Sequence, residues 1–214
     1  MSFESLLKQK NKRLEDIPLE LQTLVEKQQG KVLNGILDQL NSLETVNGKI
    51  KINNSNLNSI VKISNELKSI MLNDEYVKAV KEFVSEFDVQ ANLNNKIIDA
   101  GFGDTADPVA AKTYIDLAKK NTYSSLVGSA AELAYIQPIQ TILEQAIING
   151  ASVGETIDNI TIFVKGNSEV DSKILKYAKT ITNDAFAISD RSYTSIISDY
   201  LDSEWFYYSG SLLL

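Results

Sequence analysis

The chain has no cysteine and no histidine among its 214 residues. Without cysteine there is no disulfide, no thiol nucleophile and no thiolate metal site. Without histidine the commonest general base and the commonest transition-metal ligand are gone. Any catalysis would rest on Asp, Glu, Lys, Tyr, Ser or Thr, so a non-enzymatic role without a cofactor or metal is expected. Prolines number three and glycines ten, so chain breaks are few and long helices are expected. No run approaches the roughly 18–20 apolar residues of a membrane span. The start "MSFESLLKQKNKR" lacks a basic flank followed by an apolar core, so it does not read as a secretory signal. Synthesis in the cytoplasm is expected. Positive charge is also scarce. The net charge is −7, the wrong sign for a phosphate-binding surface. The nearest basic patch, Lys8 to Arg13, reads as a solvated helix start.

What is present is a globular composition, 43% hydrophobic and 23% charged, on a chain long enough to bury a core. From Leu19 the apolar residues Leu21, Leu24, Val25, Val32, Ile36, Leu37, Leu40 and Leu43 recur at helical spacing. Pro18 suits the first turn of that helix, with a separate short helix before it. Asn47-Gly48 predicts a tight turn with positive φ, and Lys49–Ile52 alternates as a short strand. Two further amphipathic helices follow, starting near Asn54 or Ser55 and near Asn73 or Asp74. The stretch "DAGFGDTADP" from Asp99 reads as a linker, with Asp107 and Pro108 as a helix start. Helix resumes over 109–120 and 123–148, with Pro138 expected to kink or divide the second stretch. Asn149-Gly150 ends it, and Ser152 with Glu155 has capping-box spacing. "ITIFVKG" could be helix or strand and is taken as a short helix. The expected fold is mainly α, a multi-helix bundle with a few short strands near 49–52 and 205–214. The expected organisation is an N-terminal helical bundle over 1–100 and a C-terminal helical region over 101–214, or one continuous domain.

The last helix is the longest, over about 168–203. Ile174, Ala178, Ile181, Ala185 and Ile188 are spaced four and three. They form a seam of mostly small residues that lets another helix come close. Enlarging Ala178 or Ala185 is therefore expected to overpack it. A second row, Leu175, Thr182, Phe186, Ser189, Tyr193, Ile197 and Tyr200, adds aromatics. Asp184, Asp190, Asp199, Asp202 and Glu204 are the best carboxylate group, but 184, 190 and 199 do not share one helix face. Arg191, the only cation after Lys179, reads as a surface partner of Asp190 and Asp184. No phosphate-loop, dinucleotide-binding or zinc-protease motif occurs.

The layout "KYAKTITNDAFAISDRSYTSIISDYLDSEWFYYSGSLLL" resembles the conserved part of phage minor head proteins, the head-morphogenesis proteins of the phage Mu F-like type. Ala178, Thr180, Thr182, Asp184, Arg191, Tyr208 and Gly210 fit the family's helix and following Tyr-x-Gly strand. "NGKIKINNSNLNSIVKISNEL" is similar to the family's turn, strand and Asn-Leu helix. The family's Arg-x-x-Cys or Arg-x-x-His part would begin where the chain stops, so no metal ligand is carried over. The resemblance implies a virion structural protein, assembled in the host cytoplasm. It would bind a portal or capsid protein in several copies per virion, with no sequence-specific contact to nucleic acid. The alternative is an acidic helical adaptor or inhibitor of a host or phage protein. An Asp- or Glu-dependent hydrolase ranks last.

The ending "WFYYSGSLLL" is rich in strand formers. Alternate side chains of a strand point to opposite faces, so one isolated ribbon cannot bury Trp205, Phe206, Tyr207, Tyr208, Leu212, Leu213 and Leu214 together. A terminal strand also leaves an unpaired edge. It is expected to pair with "KIKI" or "ITIFV" of the same chain, or with another protein. These seven residues are the expected partner-binding element.

Overall fold

The computed structural model describes residues 1–103 and 108–202. Asp107, Glu204 and the whole segment 205–214, with its expected strand and its seven candidate binding residues, lie outside the described residues. The described residues are mainly α-helical. The long helices are α1 (Phe3–Leu40), α2 (Asn54–Met71), α3 (Asp74–Phe102), α4 (Val109–Val127) and α8 (Lys173–Tyr200). Between α4 and α8 lie a single turn α5 (Ser129–Ala131), a π-helical turn (Glu132–Ile136), α6 (Gln137–Ile148) and α7 (Val153–Lys165).

Two compact units are formed. The first takes Met1–Leu21, Ala79–Tyr123 and the described residues after Lys179; the second takes Gln22–Lys78 and Ser124–Lys179. Each draws on both sides of residue 100, because α1, α3, α4 and α8 each contribute residues to both units. In the first unit Leu6, Leu93 and Ile97 are buried with Phe3 and Leu7 against them. Phe83, Phe87 and Phe186 form a second cluster, with the Phe87 and Phe186 ring centres 5.3 Å apart and nearly perpendicular, the favoured edge-to-face arrangement.

In the second unit a hairpin of β1 (Thr45–Val46) and β2 (Lys49–Ile50) turns at Asn47 and Gly48, whose φ angles are 54° and 75°. This is the tight turn that Asn-Gly predicts, with a strand that ends at Ile50 rather than Ile52. Asn56, almost fully buried, holds the hairpin to α2. Its Oδ1 accepts from Glu44 N–H at 2.9 Å, and its Nδ2 donates to the carbonyls of Glu44 at 2.9 Å and Lys51 at 2.8 Å. Asn53 caps α2 by accepting from Asn56 N–H. On the other side of β2, Ile50 N–H donates to Ala151 O at 2.9 Å and Lys49 bridges to Ser152. Gly35 lets α1 approach α2, since a Cβ there would lie 2.5 Å from Ile70 Cδ1.

Several local expectations are corrected. Pro18 lies inside one continuous α1. It costs the helix one hydrogen bond and a ring clash, about 3 kcal/mol, which the buried stripe of Leu6, Leu21, Val25 and Val32 offsets. The break expected near residue 121 falls at Gly128, where a side chain would meet Ser124 O at 2.6 Å. The expected division at Pro138 is present: the proline sits in the first turn of α6, directly after the π-helical turn. The preceding turn widens, and Gln137 N–H reaches back five residues to Glu132 O. That geometry gives the proline ring room that a regular i−4 pattern denies. Helix α8 starts at Lys173, with Ser172 Oγ accepting from Leu175 N–H.

The seam on α8 is only partly buried. Ile174 and Ala178 are buried, Ile181 and Ala185 are half-buried, and Ile188 is 48% exposed. The buried stripe runs instead through Thr182, Phe186, Ser189, Tyr193 and Ile197. A four-residue step advances 400° around a helix of 3.6 residues per turn, so successive steps of four drift away from a three-four seam. Ala178→Leu should therefore overpack a closed site and cost about 1–3 kcal/mol, while Ala185→Leu should cost less than half as much. Urea denaturation of the two variants tests this ranking; equal midpoints would show that Ala178 is not close-packed.

Candidate functional site

Three places gather functional side chains, one in the first unit and two in the second. In the first unit, Asp190 of α8 is only 5% exposed. Its Oδ2 is 3.0 Å from Nζ of Lys10, itself buried on α1. Its Oδ1 accepts from Gln90 Nε2 and Asn94 Nδ2 of α3, both at 2.9 Å. Arg13 extends the network, donating through Nε to Gln90 Oε1 at 3.2 Å and pairing with Glu86. A charge taken out of water needs a partner and further hydrogen bonds, and this carboxylate has an ammonium and two amides. Phe87, Ala91, Ile115 and Phe186 close around it and leave no volume for a water molecule. The group joins three helices and is shut off from any substrate.

This arrangement corrects two expectations. Lys10 and Arg13 do not belong to a solvated patch, and Asp190 pairs with Lys10 rather than with Arg191. Asp184, Arg191, Asp199 and Asp202 are exposed, so the carboxylates of α8 do not converge. Among the described residues no group of three or more Asp or Glu side chains is placed to hold a metal ion. The signal for Lys10 was its position on the apolar stripe Leu6, Lys10, Leu14, Ile17, Leu21. A basic residue there is easily read as the edge of the charged run beside it.

In the second unit three tyrosines meet near the π-helical turn. The Tyr135 and Tyr177 rings are 5.2 Å apart and nearly perpendicular. Tyr76 Oη donates to Leu126 O at 3.0 Å and Tyr177 Oη to Ser125 O at 2.9 Å. The Tyr135 hydroxyl lies beside that of Tyr76 without forming a well-aligned hydrogen bond. Burial drives all three phenols above their ordinary range, and the neighbouring Tyr76 raises Tyr135 further. A phenolic base or nucleophile needs the opposite shift, so this cluster is packing.

The second unit also carries an open cleft of about 770 Å³ between α6 and α7. Ile142 and Ala146 of α6, Ile162 and Phe163 of α7 and Val170 make an apolar floor; Lys49, Lys173 and Glu155 stand on the rim. The short link Asn149–Ser152 joins the two helices and lines the cleft. Gly150, with φ 59°, ends α6, and Ser152 Oγ starts α7 by accepting from Glu155 N–H at 3.1 Å. The contacts of Ala151 and Ser152 with β2 bring Lys49 to the rim. The loop after α7 closes at Gly166, where a Cβ would lie 2.4 Å from Val170 O. An apolar floor with a polar rim suits a peptide segment or a small ligand. Sequence reasoning did not find this cleft, because its residues come from four elements and "ITIFVKG" was ambiguous by itself.

Two measurements probe these groups. Lys10→Met should cost about 3–5 kcal/mol by leaving a buried carboxylate unpaired. Adding Asp190→Leu should recover part of that loss, and a double-mutant cycle in urea showing simple additivity would refute the coupling. Tyr135→Phe keeps the ring and removes an unpartnered hydroxyl, so stability at neutral pH should hold or rise. The raised phenol pKa means that above about pH 10 the unfolded chain has lost protons which the folded chain keeps. Folding stability should therefore fall with rising alkalinity, and less so in Tyr135→Phe; identical alkaline melting curves would count against a buried Tyr135.

No protein-family model, no curated protein and no solved structure matches this chain.

Proposed function

We propose that the chain is a virion structural protein, a minor head or portal-associated component of a tailed phage that works by protein–protein binding. Its partner on this reading is the portal or a capsid protein, which it meets in several copies within the virion. The resemblance in α8 supports this through Ala178, Thr180, Thr182, Asp184 and Arg191. Asp184 and Arg191 stand seven residues apart, two helical turns, and both are exposed, so that face is open to a partner. The observation that carries the reading is the disposition of charge. The buried charges, Lys10 and Asp190, are spent on each other, while the accessible features are helix faces and an apolar cleft with a charged rim. Such surfaces bind; they do not supply a general acid and base.

The test is a tagged full-length chain and a variant lacking 206–214, each recovered from infected cells. Full-length chain should co-purify with portal and capsid protein and enter particles. The shortened chain should melt like its parent but fail to join them. If the full-length chain instead recovers a host protein and stays out of particles, the adaptor reading replaces this one. A loss of several kcal/mol on truncation would make 206–214 part of the core and refute its role as a docking element.

A further inference from the structure

The cleft between α6 and α7 has an apolar floor, with two lysines, Lys49 and Lys173, and one carboxylate, Glu155, on its rim. Neither lysine has an ion-pair partner among the described residues. In a chain of net charge −7, two exposed lysines against the one carboxylate of Glu155, beside the half-buried Ile142, Ile162 and Phe163 and the exposed Val170, suit an acidic segment with large apolar anchors. The chain itself contains such a segment. Residues 202–208 read Asp-Ser-Glu-Trp-Phe-Tyr-Tyr, two carboxylates directly followed by four aromatics.

The strand partners that the sequence offered to this segment are engaged elsewhere. Lys49–Ile50 pairs with Thr45–Val46 on one side and with Ala151–Ser152 on the other. Ile160–Lys165 is inside α7. Side-chain burial in a cleft is what remains for a run of aromatics. The cleft's volume lies in the range of about 300–1,000 Å³ that suits compact ligands, enough for two aromatic side chains.

We propose that the cleft of one copy receives residues 202–208 of a second copy, with Trp205 and Phe206 on the apolar floor and Asp202 and Glu204 facing Lys49 and Lys173. This rests on the reading of the chain as a protein that acts by binding, and names a partner surface for it. The contact joins two unlike surfaces, so it is heterologous. Exchange in both directions closes a two-fold dimer, and exchange in one direction extends into a ring or an open chain.

The experiment uses the full chain in sedimentation velocity across the micromolar range. The parent should associate into dimers or larger species as concentration rises. Lys49→Glu with Lys173→Glu should weaken association by about tenfold or more, and adding Asp202→Lys with Glu204→Lys to that variant should restore it. Mixing the Lys49→Glu, Lys173→Glu variant with a Trp205→Ser, Phe206→Ser variant leaves one good cleft and one good segment, so the mixture should stop at a dimer. A parent that stays monomeric throughout, charge reversals without effect, or a mixture that forms no dimer would each overturn the proposal. These results bear on the cleft alone: if the chain lacking 206–214 still fails to enter particles, the binding function stands with another receptor.

Discussion

A carboxylate cannot be taken out of water alone, and the first unit is arranged around that constraint. Once Asp190 faces inward on α8, the fold must bring it a cation and donors. Lys10 comes from α1, and Gln90 and Asn94 come from α3. Three helices are thereby held in one register, because a shift of a single residue along any of them would strand a buried charge. The aromatic cluster of Phe83, Phe87 and Phe186 lies on the same helices and supplies apolar burial that a polar network does not. Replacing such a network with well-packed apolar residues is often neutral for stability.

The second unit solves a different problem, how to turn a chain with few prolines and glycines. Its turns depend on side chains that satisfy backbone groups. Asn56 binds three of them at the hairpin, Asn53 and Ser152 start helices, and Ser172 both starts α8 and donates to Val164 O at 2.6 Å. Glycine appears where contact demands it, at Gly35 between two helices and at Gly166 against the loop that follows. The π-helical turn before Pro138 belongs to the same set of accommodations. It also carries Tyr135 inward, leaving its hydroxyl without a partner, a cost that burial of the ring offsets.

These two solutions leave different things at the surface. The buried network satisfies the Asp190 carboxylate, leaves Asn94 Oδ1 without a hydrogen-bond partner, and encloses no space for a ligand. The cleft between α6 and α7 leaves Lys49 and Lys173 exposed beside half-buried apolar side chains.

Much of the fold was legible in the residues. Periodicity alone gave the helical character, Asn47-Gly48 the hairpin turn, and Ser152 with Glu155 the start of α7, since each depends on neighbours within a few residues. The absence of cysteine and histidine excluded thiol and imidazole chemistry for the same reason: composition needs no structure. What the residues did not reveal were decisions taken across long sequence distances. Lys10 looked like one charge in a basic run until Asp190, far along the chain, claimed it. Pro18 looked like a break until the packing of its helix outweighed the local cost. The cleft was invisible because Lys49, Ile142, Phe163 and Lys173 become neighbours only when β2, α6, α7 and α8 pack together. Local conformational preference is written in short stretches, whereas burial and charge pairing depend on which distant stretches the packed core brings into contact.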